Sequence, residues 1–132
     1  MMKTFFVGVK GVVVKDGKVL LLKKSGEEGF WEVPGGRIDG DETLQETLIR
    51  ELNEEVPNIQ NIRIDTVLDA YRLQKDIVED VSLTLVFFKV HADFEGDPQI
   101  SEEHSEWRWV EKDEALSIAS ESCKKAIEAV FS

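Results

Sequence analysis

The sequence predicts an α+β fold in which a central mixed β-sheet carries helices on both faces, an α/β/α sandwich. Three observations lead there. Segments of β character outnumber helical ones, and the two kinds alternate along the chain rather than segregating. The run VSLTLVFFKV, residues 81–90, is nearly continuous and apolar, as expected of a buried central strand. The middle helix and the last helix each show an apolar face that can cover a sheet.

Taken in order, Phe5 to Val14 is rich in β-formers and Val19 to Leu22 is a short apolar run. Asp16-Gly17 between them signals a hairpin, because both residues accept the backbone of a tight turn. Lys10 interrupts the apolar start and no small-residue cleavage site follows, so the opening residues read as strand rather than secretory signal. Ser25 to Gly29 is a loop, and Phe30 to Val33 a short strand stopped by Pro34. Gly35 and Gly36 open backbone conformations closed to other residues, Arg37 and Ile38 continue briefly, and Gly40 turns the chain. Asp41 is the expected N-cap of a helix from Glu42 to Glu55, which Pro57 ends by forcing Val56 out of helical geometry. Ile62 to Leu73 and Ile77 to Val90 read as long strands, separated by Gln74-Lys75-Asp76. A polar loop from Glu95 to Ser105 leads to a short strand, Trp107 to Val110. Two terminal helices are expected, Asp113 to Ala119 and Ser122 to Phe131, the second packing Ala126, Ile127 and Val130, with Cys123 as a buried filler.

The 132 residues predict one domain, spanning 1–132. With 42% apolar and 33% charged residues the chain reads as globular, not disordered. A net charge of −11 argues against a duplex nucleic-acid binder, which needs a basic stripe for phosphates. Small phosphate-bearing molecules stay open, because a bound metal reverses the local field. The single cysteine rules out an internal disulfide, and no Cys/His cluster has zinc spacing, so a reducing cytoplasm is expected. No apolar stretch is long enough to span a bilayer, so no membrane partner is expected. Monomer and homodimer are both left open.

Chemistry concentrates in GRIDGDETLQETLIRELNEE, residues 36–55. On a helix, Leu44, Leu48 and Leu52 form one apolar stripe, while Glu42, Glu46, Arg50 and Asn53 lie broadly opposite. Glu51 and Glu55 fall one turn apart at the border of that stripe, with Glu54 nearby. A partly buried cluster of like charges needs compensation, and a hard divalent cation is the natural candidate for carboxylate oxygens. Facing alone leaves a solvated acidic surface equally open.

The wider pattern decides between them. Gly36, Glu42 and Arg50, followed by Glu51-Leu52-x-Glu54-Glu55, resemble the Nudix box. Such a match arises by chance in roughly one in a million chains of this length. The flanking Phe30-Trp31-Glu32-Val33-Pro34-Gly35-Gly36, the later Glu103-His104-Ser105-Glu106-Trp107-Arg108-Trp109-Val110 and the order of elements are similar too. One departure stands out: Pro57 and Asn58 occupy places where the family usually has glycine and an apolar residue. It bears on the exit of the chain and the tilt of Glu55.

The resemblance implies the Nudix fold and hydrolysis of a diphosphate linkage, in a nucleoside diphosphate derivative or nucleoside triphosphate, by water attack at phosphorus with Mg2+ or Mn2+. It implies Glu51, Glu54 and Glu55 as metal-binding carboxylates, with Glu51 alternatively the base toward water, and the Gly35 carbonyl as a further ligand. Arg50 would orient the glutamates, and Gly36 would serve turn geometry. Outside the box, Glu106 is the candidate loop glutamate for metal or water, with Glu102 and Glu103 competing. Lys24, or Lys23 beside it, would meet a substrate phosphate, and Tyr71 and Arg72 would contact substrate near a strand end. Trp31, Trp107 and Trp109 are expected mainly in packing, His104 as incidental and His91 as structural. The alternative is a non-catalytic Nudix-like domain sensing a nucleotide or metabolite.

Overall fold

The computed structural model describes residues 2–132. Its strands are β1 (Thr4–Lys15), β2 (Lys18–Lys24), β3 (Trp31–Glu32), β4 (Gly35–Arg37), β5 (Ile59–Arg72), β6 (Val81–Phe94) and β7 (His104–Val110). The helices are α1 (Leu44–Glu55), α2 (Lys112–Ile118) and α3 (Lys124–Val130), with a 3-10 turn at Glu121–Cys123. The sheet runs β3-β2-β1-β6-β5, with β4 also on β1 and β7 also on β2. β1 and β6 pair in parallel and the other pairs are antiparallel, so the sheet is mixed as expected. β6 lies between β1 and β5, which accounts for its apolar run.

Two buried clusters lie on opposite faces of the sheet. On the α1 side, Val9, Val13, Leu20, Leu22 and Val90 pack under Leu48, Leu52 and Val56. On the α2–α3 side, Val12, Val19, Leu21, Val33 and Phe87 pack under Ala115, Cys123, Ala126 and Ile127. The alternation of β1 between the two clusters is the period-two pattern of a strand covered on both sides. Leu48 and Leu52 are fully buried, so the leucine stripe fixes the roll of α1 about its axis.

Several boundaries differ from expectation: β5 begins at Ile59 rather than Ile62, β6 continues to Phe94 rather than ending at Val90, and three further shifts have a local cause. α1 is capped by Thr43, not Asp41: Thr43 Oγ1 accepts from the Glu46 N–H at 3.1 Å, and Glu46 Oε1 accepts from the Thr43 N–H at 3.0 Å. This reciprocal capping box satisfies two otherwise orphaned donors, which an aspartate two residues earlier cannot do. Ile77 to Asp80 is a turn rather than strand, closed by Ile77 N–H to Val81 O at 2.8 Å with Asp80 at φ 61°. β7 begins at His104 rather than Trp107, because β2 is long enough to pair with it as far as Lys24.

Pro57 and Asn58 end α1 without a glycine. The Val56 N–H still reaches Leu52 O, and Asn58 clamps the loop after β6 by donating to Asp97 O at 2.9 Å and accepting from the Gln99 N–H at 2.8 Å. Ser101 N–H donates to Glu55 O at 3.1 Å, satisfying a helix-terminal carbonyl. Among the described residues no helix is long and apolar enough to cross a membrane.

Thr43→Ala is expected to cost about 1 kcal/mol in urea denaturation, while Asp41→Ala leaves the midpoint nearly unchanged. Equal losses would contradict the capping assignment.

Candidate active site

The C-terminal turn of α1 brings its three glutamates into three environments. Glu55 is 2% exposed, while the side chain of Glu51 is 15% exposed and that of Glu54 59%. The order follows from the leucine stripe: Glu55 lies nearest the sheet, Glu51 at the border and Glu54 toward solvent. The two glycines make room for them. Gly35 has φ 147°, and a Cβ there would collide with the Val9 carbonyl and the Lys10 backbone. That approach lets the Gly35 N–H donate to Glu55 Oε2 at 2.8 Å. A Cβ on Gly36 would collide with the Glu51 carboxylate, so Gly36 leaves space for that side chain rather than serving the turn alone.

Arg50 reaches the glutamates as expected, donating from Nη1 to Glu51 Oε1 at 2.8 Å and to Glu54 Oε2 at 3.5 Å. Its closest partner is Glu42, which takes Nε at 2.7 Å and Nη2 at 3.0 Å in a forked pair. Glu42 is therefore not a free solvent-facing residue. It also accepts from the Asp39 N–H at 3.0 Å and from Thr47 Oγ1 at 3.1 Å. The Arg50 hydrogen bonds above all hold its carboxyl down at about 2, and those same bonds raise the Arg50 pKa above its usual value.

A line of buried charge, absent from the expectations, runs beneath the box. Lys10 Nζ lies 3.2 Å from Glu32 Oε1, and His104 Nε2 lies 2.9 Å from Glu32 Oε2. His104 Nδ1 lies 3.7 Å from Glu55 Oε1 and has no hydrogen-bond partner among the described residues, although the side chain is 0% exposed. Burial would raise the Glu32 carboxyl, but its bond to His104 and the Lys10 ammonium outweigh this and hold it below the ordinary range. For Glu55 burial wins: despite Lys10 and the Gly35 N–H, its carboxyl is pushed up to about 8, with Glu103 and Glu51 adding to the rise. Ligand atoms of Glu55, Glu103 and His104 all lie within 4.8 Å of one another. Lys10 carried a legible signal, a lone charge within an apolar strand; Glu32 carried none, because its partners come from β1 and β7.

The remaining candidates lie apart from this centre or at its rim. Glu106 is in β7 rather than a loop, pairs with Lys23 at 3.4 Å and is half exposed, whereas Glu103 converges on Glu55. Lys24 ends β2 beside His104, at a bulge. Tyr71 packs against the α2–α3 cluster, and the Arg72 guanidinium sits 4.9 Å over the Phe5 ring. Trp31 lies under Arg108, and Trp109 packs edge-on to Phe94. His91 pairs with Asp65 at 3.3 Å on the surface. A cleft of about 370 Å³ adjoins the buried charges, lined by Lys10, Glu32 and Gly36 and by Phe30, Leu83 and Leu85, with Ser120 and Ser122 at its wall. Phe30, not a tryptophan, is its aromatic, and Leu73, next to Arg72, also lines it.

A NUDIX domain profile matches residues 5–129. The CTP pyrophosphohydrolase of Escherichia coli (strain K12) is 31% identical over 115 residues, 82% of this chain and 77% of that protein. The asymmetrical bis(5'-nucleosyl)-tetraphosphatase of Rattus norvegicus is 30% identical over 102 residues, 76% of this chain and 68% of that one. Among solved structures, a MutT NUDIX hydrolase from Burkholderia pseudomallei superposes with a TM-score of 0.77 at 26% identity, covering 97% of this chain and 99% of that one.

The raised Glu55 carboxyl predicts an unusual pH dependence. The folded protein holds this proton more tightly than the unfolded chain, whose carboxyl titrates near 4.5. Its contribution to stability is therefore complete below about pH 4.5 and is lost as the pH rises through about 8. Glu55→Gln should flatten that decline and raise the melting temperature of metal-free protein at pH 8. A variant that melts lower than wild type there would overturn the assignment.

Proposed function

Since the chain belongs to the NUDIX hydrolase family, we propose that it hydrolyses a diphosphate linkage, in a nucleoside diphosphate derivative or nucleoside triphosphate, by water attack at phosphorus with Mg2+. The relatives named for CTP and for bis(5'-nucleosyl) tetraphosphates support a nucleotide-type substrate. The observation that carries the reading is the buried Glu55 carboxyl, pushed up to about 8 with Glu51 and Glu103 adding to the rise, next to a line of buried charge whose Lys10 and Glu32 also line a largely apolar cleft. A carboxylate so placed is satisfied by a proton or by a cation, and the oxygen-rich surroundings fit a hard divalent ion.

In this reading Glu51, Glu54, Glu55 and the Gly35 carbonyl hold the ion. Bound there, it supplies neutralisation of charge on the phosphoryl oxygens and leaving group. Arg50, fixed by Glu42, keeps Glu51 and Glu54 in place, which removes the need to order them at each turnover. Alternatively Glu51 takes the proton from the attacking water, and Glu103, whose charge bears on Glu55, replaces Glu106, which pairs with Lys23, as the candidate outside the box for metal or water. The base or equivalent planar group enters the cleft against Phe30, Leu83 and Leu85, with the Ser120 and Ser122 hydroxyls available to its polar edge. Lys24, Tyr71 and Arg72 remain candidate contacts for the outer part of the substrate.

A panel of diphosphate compounds with product identification, run with and without Mg2+, is the direct test. Release of neither phosphate nor nucleoside monophosphate from any of them would sink the reading. Glu54→Gln should abolish turnover while the protein stays folded by circular dichroism. Glu103→Gln should lower kcat by about 10²-fold or more, and Glu106→Gln by much less; the reverse order would return the role to Glu106. Phe30→Ala should raise KM more than it lowers kcat.

A further inference from the structure

We propose that His104 Nδ1 is a nitrogen ligand of the divalent cation, completing with Glu55 and Glu103 a mixed nitrogen–oxygen site that favours Mn2+ over Mg2+. The inference rests on the preceding reading that the box glutamates hold a cation, and adds a donor that the glutamate pattern does not contain.

Three observations carry it. First, the imidazole is fully buried, yet Nδ1 has no hydrogen-bond partner among the described residues. A polar atom left that way in a folded interior costs on the order of 1–3 kcal/mol, so a missing partner is implied. Second, the other ring nitrogen is committed. Nε2 meets Glu32 Oε2 at 2.9 Å, and Glu32 is itself held against the Lys10 ammonium. A carboxylate in that position accepts, so the ring proton belongs on Nε2 and Nδ1 presents a bare lone pair. A carboxylate holding the far nitrogen is the arrangement that orients metal-ligating histidines and raises their basicity. Third, the lone pair is not aimed at empty space: Glu55 Oε1 is 3.7 Å away, and a Glu103 oxygen completes a group lying within 4.8 Å. Ligand atoms about 2.1 Å from a common octahedral ion lie about 3 to 4.2 Å apart, so the group needs only a small contraction. Glu103 is exposed while Glu55 and His104 are buried, which gives the ion a way in from solvent.

The chemistry sets the preference. Mg2+ takes oxygen ligands and keeps its waters, whereas imidazole nitrogen suits first-row transition ions. Replacing one oxygen position by Nδ1 therefore shifts selectivity toward Mn2+ without removing Mg2+ binding.

The chain has two histidines, so His91→Gln leaves His104 as the only imidazole. Pulsed electron paramagnetic resonance of this full-length variant with Mn2+ alone, grown with 14N- or 15N-histidine, should show a directly bound nitrogen whose coupling changes with the isotope. By calorimetry, His104→Gln should lower the ratio of Mn2+ to Mg2+ affinity by about tenfold. Mn2+ bound with no isotope-sensitive coupling would overturn the histidine ligand and leave the carboxylate site standing. Failure to bind either ion would overturn both readings. If His104→Gln does not fold, the isotope experiment decides alone, since it leaves His104 in place.

Discussion

A carboxylate buried at the C-terminal end of a helix is the constraint around which this molecule is arranged. Glu55 closes α1, where the aligned backbone carbonyls already present negative partial charge, and it lies almost wholly out of water. Both conditions disfavour its ionised form. The surroundings answer with a backbone N–H from Gly35 and the field of Lys10, and these still leave the carboxyl pushed up to about 8. A site in that condition exchanges a proton for a cation at small cost, whereas a solvated glutamate has little to gain from either.

The support reaches well beyond α1. β1 supplies Lys10, β3 supplies Glu32, β7 supplies His104 and β4 supplies Gly35, so four strands converge on one carboxylate. The pairing of β1 with β6 places β1 in the middle of the sheet, where Lys10 is largely buried and pairs with Glu32. The leucine stripe sets the roll of the helix, and Asn58 ties the chain beyond it to the loop before β7. Arg50 performs a separate task at the exposed side, bracing Glu51 and Glu54 against Glu42 at the start of the same segment. The box thus contains two layers, a neutralised outer pair and an inner carboxylate left in deficit.

The cleft shares Lys10 and Glu32 with the line of buried charge, so its apolar lining of Phe30, Leu83 and Leu85 adjoins a buried ion pair. That arrangement suits a substrate with a highly charged end and a flat, weakly polar end. It also explains why the aromatic facing the cleft is Phe30: it stands outside the packed clusters, half exposed, while Trp31 and Trp109 are held by Arg108 and Phe94.

The sequence by itself determined the mixed sheet, the end of α1 and the roll that buries Glu55 and leaves Glu54 toward solvent, because these follow from local periodicity: leucines four apart and a proline after them. It also gave the order of elements, with errors confined to ends such as the Thr43 cap and the turn at residues 77–80, where side-chain and backbone bonds compete over a few residues. Only the tertiary structure decided that Glu42 belongs to Arg50, that Glu103 rather than Glu106 approaches Glu55, and that Lys10, Glu32 and His104 form one buried line. Those partners lie as far as 72 residues apart in the chain. Their juxtaposition is set by strand order and by a bulge opposite Lys24, neither of which leaves a periodic trace in the residues themselves.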